Sequence, residues 1–152
     1  MSAPATGRTS TIACPHCGRR NRVPGSAGSV PKCGNCHERL PWIADAGDSD
    51  FAEVAEHAPI PVLVDLWATW CAPCRMVSPA LERLAVKRAG ELKLVKVDVD
   101  QAPELSQRFE VRSVPTLLVL RNGEVLARQS GAAPEAALRS WLDGALSGGS
   151  AQ

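Results

Sequence analysis

The feature that most restricts this chain is an abrupt change of pattern at Trp67-Ala68-Thr69-Trp70-Cys71-Ala72-Pro73-Cys74. Before it runs a continuous apolar stretch, Pro61-Val62-Leu63-Val64-Asp65-Leu66-Trp67; after it Val77, Ala80, Leu81 and Leu84 recur at spacings of three and four. The first is the signature of a strand buried on both faces, the second that of an amphipathic helix. Two cysteines separated by two residues at the start of that helix can close a small disulfide ring or open to a dithiol. The first sulfur then lies near unpaired backbone N–H groups and the positive end of the helix dipole, and both favour the reactive thiolate. Pro73 suits the first turn, where its missing N–H has no partner to lose. Such a pair can also be half of a metal site, but the tryptophans before it and the proline within it favour redox chemistry.

A second pattern precedes it. Cys14-Pro15-His16-Cys17-Gly18 and Cys33-Gly34-Asn35-Cys36-His37 are two further pairs, fifteen residues apart. Doubled pairs with a gap of about 15–20 residues are the spacing of a four-thiolate zinc site, in which two tight turns supply the corners of a tetrahedron. Gly18 and Gly34 fit turns that need positive φ or close approach of backbone to sulfur. His16 and His37 stand beside the ligands as alternatives, but four thiolates already complete a closed structural site. Residues 1–40 hold few large apolar side chains, namely Ile12, Val23, Val30 and Leu40. Such a piece cannot bury enough surface to fold alone, so metal binding is expected to supply on the order of 10 kcal/mol toward its folding. The expected divisions are a zinc-binding domain over 1–40, a larger domain over 41–146 and a flexible tail over 147–152.

The first eleven residues carry one arginine and no apolar run, and read as a mobile polar leader rather than a secretory signal. No segment is apolar for long enough to span a membrane. A cytoplasmic protein is therefore expected, and its six cysteines read as metal ligands or redox catalysts rather than structural disulfides. The net charge of +1 is unevenly placed, with six Lys/Arg against one acid in residues 1–40 and eleven against fifteen in the remainder. A basic appendage can signal nucleic-acid contact, but zinc-bound thiolates offset most of this charge and no aromatics interleave the arginines. No nucleic-acid partner is expected.

The larger piece reads as β-α-β-α-β-α-β-β-α. Pro41-Trp42-Ile43-Ala44 suggests a short edge strand, and Asp50 with Glu53 suggests a cap for a helix over 51–57. Gly90 should end the helix that follows the cysteines, within which Pro79 should introduce a kink. Leu92 to Val99 reads as a strand and Pro103 to Phe109 as a short helix. Asn122-Gly123 joins two strands as a hairpin, and a last helix from Pro134 turns Leu138, Trp141, Leu142 and Ala145 inward. Parallel crossovers followed by an antiparallel hairpin imply a mixed α/β sheet with helices on both faces.

Two polar residues do not fit their surroundings. Asp65 interrupts an apolar strand, where lost solvation should raise its pKa. Lys96 sits among Leu94, Val95 and Val97 on the neighbouring strand. Read functionally, both lie beneath the cysteine pair, with Asp65 relaying protons to and from Cys74 and Lys96 tuning it. Read structurally, they are a buried ion pair without a role in turnover, or the lysine reaches solvent. Pro115, in Val114-Pro115-Thr116, is by itself an ordinary proline at the start of a strand.

Over residues 42–146 these motifs together resemble the thioredoxin family. Trp70-Cys71-Ala72-Pro73-Cys74 is similar to its Trp-Cys-Gly-Pro-Cys, and Asp65 and Lys96 fall where its buried aspartate and partner lysine stand. Trp67 and Pro79 correspond as well. The four-cysteine pattern ahead of that region is similar to the zinc ribbon of the bacterial thioredoxin-2 group. The resemblance implies a thioredoxin fold with a mixed five-stranded sheet, and a cis peptide at Pro115 in a loop that faces the disulfide with Gly131 beside it. It implies a general protein-disulfide reductase in which Cys71 is the nucleophile and Cys74 resolves. Substrate chains would lie against Trp70, Ala72, Pro73, Val114, Pro115 and Gly131. It further implies one structural zinc on Cys14, Cys17, Cys33 and Cys36, disulfide-containing protein substrates, thioredoxin reductase as electron donor, and a monomer free of membranes. Ala72 departs from the family's glycine and adds a methyl group beside the reactive sulfur. A thiol oxidase or isomerase, and a zinc-ribbon interaction module with a docking platform, are the competing readings.

Overall fold

The computed structural model describes residues 9–148. Most of the expected leader lies outside these residues, as does 149–152 of the expected tail. Within them the leader reading fails, because Ser10 and Thr11 already belong to a strand.

The N-terminal piece is a hairpin and two knuckles. Strands β1 (Ser10–Ala13) and β2 (Arg20–Val23) pair antiparallel, with Ser10 opposite Val23 and Ala13 opposite Arg20. The first cysteine pair turns the corner between them, as Cys14 N–H donates to the Arg19 carbonyl and Gly18 N–H to that of Cys14. The second repeats this design, as Cys33 N–H donates to Glu38 and His37 N–H to Cys33. The residue after each pair takes positive φ, 81° at Gly18 and 66° at His37. Gly34, expected either to carry this conformation or to allow a close approach of backbone to sulfur, does not take positive φ; its N–H donates to Asn21 Oδ1 at 2.9 Å.

The main sheet has five strands in the order β3-β5-β4-β6-β7. They are β3 (Trp42–Asp45), β4 (Val62–Trp67), β5 (Lys93–Asp98), β6 (Thr116–Arg121) and β7 (Glu124–Ser130). The first three in that order run parallel, while β6 is antiparallel to β4 and β7 to β6. Strand β4 is thus only half the parallel strand that its apolar run suggests. Asn122 and Gly123 take φ of 52° and 82° and close the β6–β7 hairpin, the conformation a two-residue primed turn needs.

Helices cover both faces, and strand alternation decides which side chain meets which. Leu63, Leu94, Leu117 and Val119 face α1 (Ala72–Lys87) and α3 (Glu135–Gly148), where they meet Val77, Leu81, Leu84, Leu138 and Leu142. Val64, Leu66, Val95, Val97, Leu118 and Leu120 face the opposite layer of Phe51, Val54, Leu105 and Phe109. Helix α3 continues through Ser147 and Gly148, two residues read from the sequence as tail. The expected helix over 51–57 is a single π-helical turn, Ala52–Glu56, without a side-chain cap. Asp50 accepts from Gly47 N–H, and the aspartate that caps a helix is Asp48. It accepts from Glu104 and Leu105 N–H at the start of α2 (Pro103–Arg108), more than fifty residues away.

The two pieces share an apolar cluster. Cys14, Val23, Cys33 and Leu40 pack with Trp42, which is fully buried at the edge of the main sheet. The Trp42 indole N–H donates to the Pro24 carbonyl at 2.9 Å. Beside it lies Lys93, fully buried, its ammonium 2.6 Å from the carbonyl oxygens of both Gly25 and Val54 and 4.0 Å from the Trp42 ring centre. Burial pushes Lys93 down to about 7, while the ring face stabilises its charged form. A second contact closes over Gly90, at φ 86°, where an added Cβ would stand 2.1 Å from Arg39 Cδ. Trp42→Ala should therefore lower stability by about 3–5 kcal/mol. Urea unfolding monitored by circular dichroism measures this, and a loss under about 1 kcal/mol contradicts the assigned role.

Candidate active site

The redox pair sits where β4 hands over to α1. Cys71 is the residue that caps α1, in extended conformation, and its sulfur accepts from Cys74 N–H at 3.1 Å. Pro73 occupies the first turn. Cys71 and Cys74 form a disulfide with 5.3 Å between their α-carbons. Both are almost wholly buried, so attack is confined to the exposed rim. That rim carries Trp70, which is 67% exposed and donates from its indole to Asp100 at 2.9 Å, and Met76, which is 78% exposed. Ala72 and Pro73 are exposed beside them.

The loop expected to face the disulfide does so. The Val114–Pro115 peptide is cis, and the Val114 carbonyl oxygen lies 3.6 Å from Cys71 Sγ. Gly131, at φ 89°, donates its N–H to the Pro115 carbonyl at 2.8 Å, which ties the loop to the end of β7. Backbone groups at this rim are the kind that can hold an extended chain irrespective of its side chains.

Behind the disulfide, Asp65 is 1% exposed, and its Oδ1 has no hydrogen-bond partner among the described residues. It lies opposite Lys96 on β5 and Leu117 on β6. Asp65, Cys74, Ser78 and Lys96 line one cavity of about 150 Å³, with Trp67 and Arg75. A space of that size is large enough to admit water. Lys96 does not close an ion pair with Asp65. Its ammonium donates to Ser78 Oγ at 2.9 Å and lies 3.3 Å from Glu82 Oε2. Ser78, Glu82 and Asp100 went unremarked in the sequence. The first two follow Cys74 at intervals of four along α1, a stripe that the helical period makes visible once Asp65 is placed beneath it.

The four remaining cysteines also converge. Their sulfurs all lie within 4.8 Å of one another, a set that can hold a metal ion. Backbone N–H groups of His16 and Asn35 point at the sulfurs of Cys14 and Cys33, each at 3.4 Å, and the Asn35 side-chain amide points at Cys17 at 3.4 Å. Donors of this kind stabilise thiolates. His16 and His37 are exposed and stand outside the set.

Burial raises Asp65 from its ordinary 3.8 to about 6; Lys96 opposes the rise and Glu82 adds to it. Between these two values the folded protein binds more protons than the unfolded chain, so stability falls as pH rises through that window. At about 1.4 kcal/mol per unit, the cost above pH 6 is on the order of 3 kcal/mol. Asp65→Asn should accordingly stabilise the oxidised protein at pH 7 by up to about this amount and leave it nearly unchanged at pH 4. Urea unfolding at the two values measures it; equal effects at both contradict a buried, ionising carboxylate.

Comparison with known proteins agrees with this geometry. The thioredoxin family model matches residues 43–144. The chain is similar to thioredoxin C-3 of Corynebacterium nephridii, at 38% identity over 87% of this chain and 92% of that protein. That share is more than residues 41–152 contain, so the similarity reaches into the cysteine-bearing N-terminal piece. Thioredoxin of Haemophilus influenzae is 45% identical over 66% of this chain and 94% of its own length. Thioredoxin of Mycobacterium bovis is 47% identical over 60% and 78%. A helix capped by one half of its own disulfide, set against a cis-proline loop and matched by relatives of nearly full length, leaves one assignment: this chain belongs to the thioredoxin family of protein-disulfide oxidoreductases.

Proposed function

We propose that the chain is a general protein-disulfide reductase in which Cys71 is the nucleophile, Cys74 resolves and Asp65 moves the proton. The observation that carries this reading is the position of the two sulfurs. Cys71 is at the head of α1, next to the exposed Trp70, Ala72 and Pro73, where the Cys74 N–H and the helix N-terminus favour its thiolate. Cys74 lies behind it, in the cavity with Asp65.

The exchange balances as follows. Cys71 thiolate attacks one sulfur of a substrate disulfide; the substrate S–S bond breaks and its other sulfur leaves as thiolate, taking a proton from water. Asp65 carboxylate then accepts the Cys74 proton, and the Cys74 sulfur attacks Cys71. The mixed disulfide breaks, and the second substrate sulfur leaves reduced. Trp70, Ala72, Pro73, Val114, Pro115 and Gly131 form the surface along which the substrate chain lies. Thioredoxin reductase returns the two electrons. Lys96 tempers the proton affinity of Asp65. The protein acts as a monomer in the cytoplasm, a compartment in which four free cysteines remain available for a metal. No helix among the described residues is long and apolar enough to cross a membrane.

Residues 1–40 form a zinc-binding unit in this reading, held by Cys14, Cys17, Cys33 and Cys36, and 41–146 form the catalytic unit. The donor set suits that ion. Zinc–thiolate bonds of about 2.3 Å imply neighbouring sulfurs about 3.8 Å apart, and Cys14–Cys36 and Cys17–Cys33 stand 3.6 and 3.5 Å apart. Zinc there supplies cross-linking, and all four positions are filled by sulfur, so exchange chemistry stays with Cys71 and Cys74.

Reduction of insulin disulfides with NADPH and thioredoxin reductase tests the function. Cys71→Ser should abolish turnover, and Cys74→Ser should accumulate the mixed disulfide, seen by mass spectrometry. Turnover that survives Cys71→Ser rules the assignment out. For the metal, elemental analysis should find one zinc per chain. Its removal by a chelator should melt residues 9–40 in an amide-exchange experiment before the main sheet. Retention of amide protection there after the metal is gone would show the ion to be dispensable.

A further inference from the structure

Asp65 has a lysine opposite it in register, yet the lysine is engaged elsewhere. Lys96 Nζ donates to Ser78 Oγ at 2.9 Å and lies 3.3 Å from Glu82 Oε2, while Asp65 Oδ1, in the same cavity, has no partner among the described residues. Cys74, Ser78 and Glu82 stand at intervals of four on α1, so they form one stripe above β4 and β5. The helix that carries the resolving cysteine thereby also carries the groups that hold the lysine.

We propose that Ser78 and Glu82 are positioning residues for proton transfer, holding the Lys96 ammonium to α1 so that Asp65 stays free to exchange a proton with Cys74. The inference rests on the relay role given to Asp65 above. Without Ser78 and Glu82, the ammonium is free to turn to Asp65, its register neighbour on β4, and Asp65 then becomes an ion-pair anion. An anion so paired is a weaker base, and proton transfer from Cys74 slows.

The charged and titratable neighbours are few. From α1 come Cys74, Arg75 and Glu82, and Arg75 is turned to the Thr69 carbonyl. From β5 comes Lys96, while β6 presents Leu117. Asp45, Asp50 and Asp98 line a larger cleft that shares Trp67 and Lys96 with the Asp65 cavity. Glu82 is thus the acid nearest the ammonium, and its charge offsets that of Lys96 at Asp65. This agrees with Asp65 being raised by Glu82 and lowered by Lys96.

The test is the pH profile of the second phase of thiolate release from a small aromatic disulfide, the phase in which Cys74 resolves the mixed disulfide and Cys71 no longer needs to ionise, read by stopped flow from pH 4 to 9 on the reduced, zinc-loaded full chain. Asp65→Asn should remove the acid limb. Glu82→Gln should move the midpoint of that limb down by about one pH unit. Ser78→Ala should move it the same way by less, and Ser78→Thr should restore it. In a Lys96→Met background, Glu82→Gln should move the midpoint far less, because the charge it restrains is gone. An acid limb that survives Asp65→Asn sinks the relay reading, and the inference with it. A limb lost with Asp65→Asn but unmoved by Glu82→Gln and Ser78→Ala leaves the relay standing and overturns this proposal alone. An equal shift with and without Lys96 overturns it as well. Circular dichroism spectra that match the parent's and a cooperative thermal transition confirm that each variant is folded.

Discussion

Strand β4 is bonded on both sides, to β5 and β6, and covered on both faces. The position of the chemistry follows from that double confinement. A strand so held cannot slip its register, because a slip of one residue would exchange its two apolar faces. Its C-terminal end therefore delivers Cys71 to a fixed point, the head of α1. Its alternation places Asp65 on the face beneath that helix. The carboxylate is costly there, and the fold bears the cost at the one place where a group able to hold or release a proton lies within reach of a buried thiol.

The elements legible in the sequence were those whose cause is local. The apolar run of β4, the three-and-four spacing of α1 and the Asn122-Gly123 turn each carry their reason within a few residues. Failures came where the reason lies far along the chain. Asp50 and Glu53 look like a capping pair, but Asp50 closes a turn at Gly47, and it is Asp48 that caps the distant α2. Gly34 looks like the residue that needs positive φ, but that conformation falls to His37, four positions after Cys33 as Gly18 is after Cys14.

The two lysines of β5 show the same limit in the site. Lys96 drew notice because apolar neighbours flank it, yet it is only partly buried, and Ser78 and Glu82 satisfy it. Lys93 passed unremarked and is the fully buried one. They lie on opposite faces of one strand, so their fates separate. Lys96 points toward α1, and Lys93 toward the layer that contains Val54. What makes Lys93 tolerable is a carbonyl from Gly25 and the face of Trp42, neither of which neighbours it in sequence. The six cysteines, by contrast, sorted by local signals: the doubled spacing for Cys14, Cys17, Cys33 and Cys36, and the neighbouring tryptophans and proline for Cys71 and Cys74.

The Lys93 latch bears on how the molecule comes apart. Its ammonium bridges a carbonyl of the cysteine-bearing module and a carbonyl of the catalytic body, beneath the Trp42 indole that packs with the module's apolar residues. Pulling the module away takes the Gly25 carbonyl from the ammonium and opens the seam to water, so detachment loses a charged hydrogen bond as well as the apolar contact. The seam accordingly belongs to both pieces, and a catalytic body clipped free at residue 41 would open Trp42 and Lys93 to water where its neighbour had been.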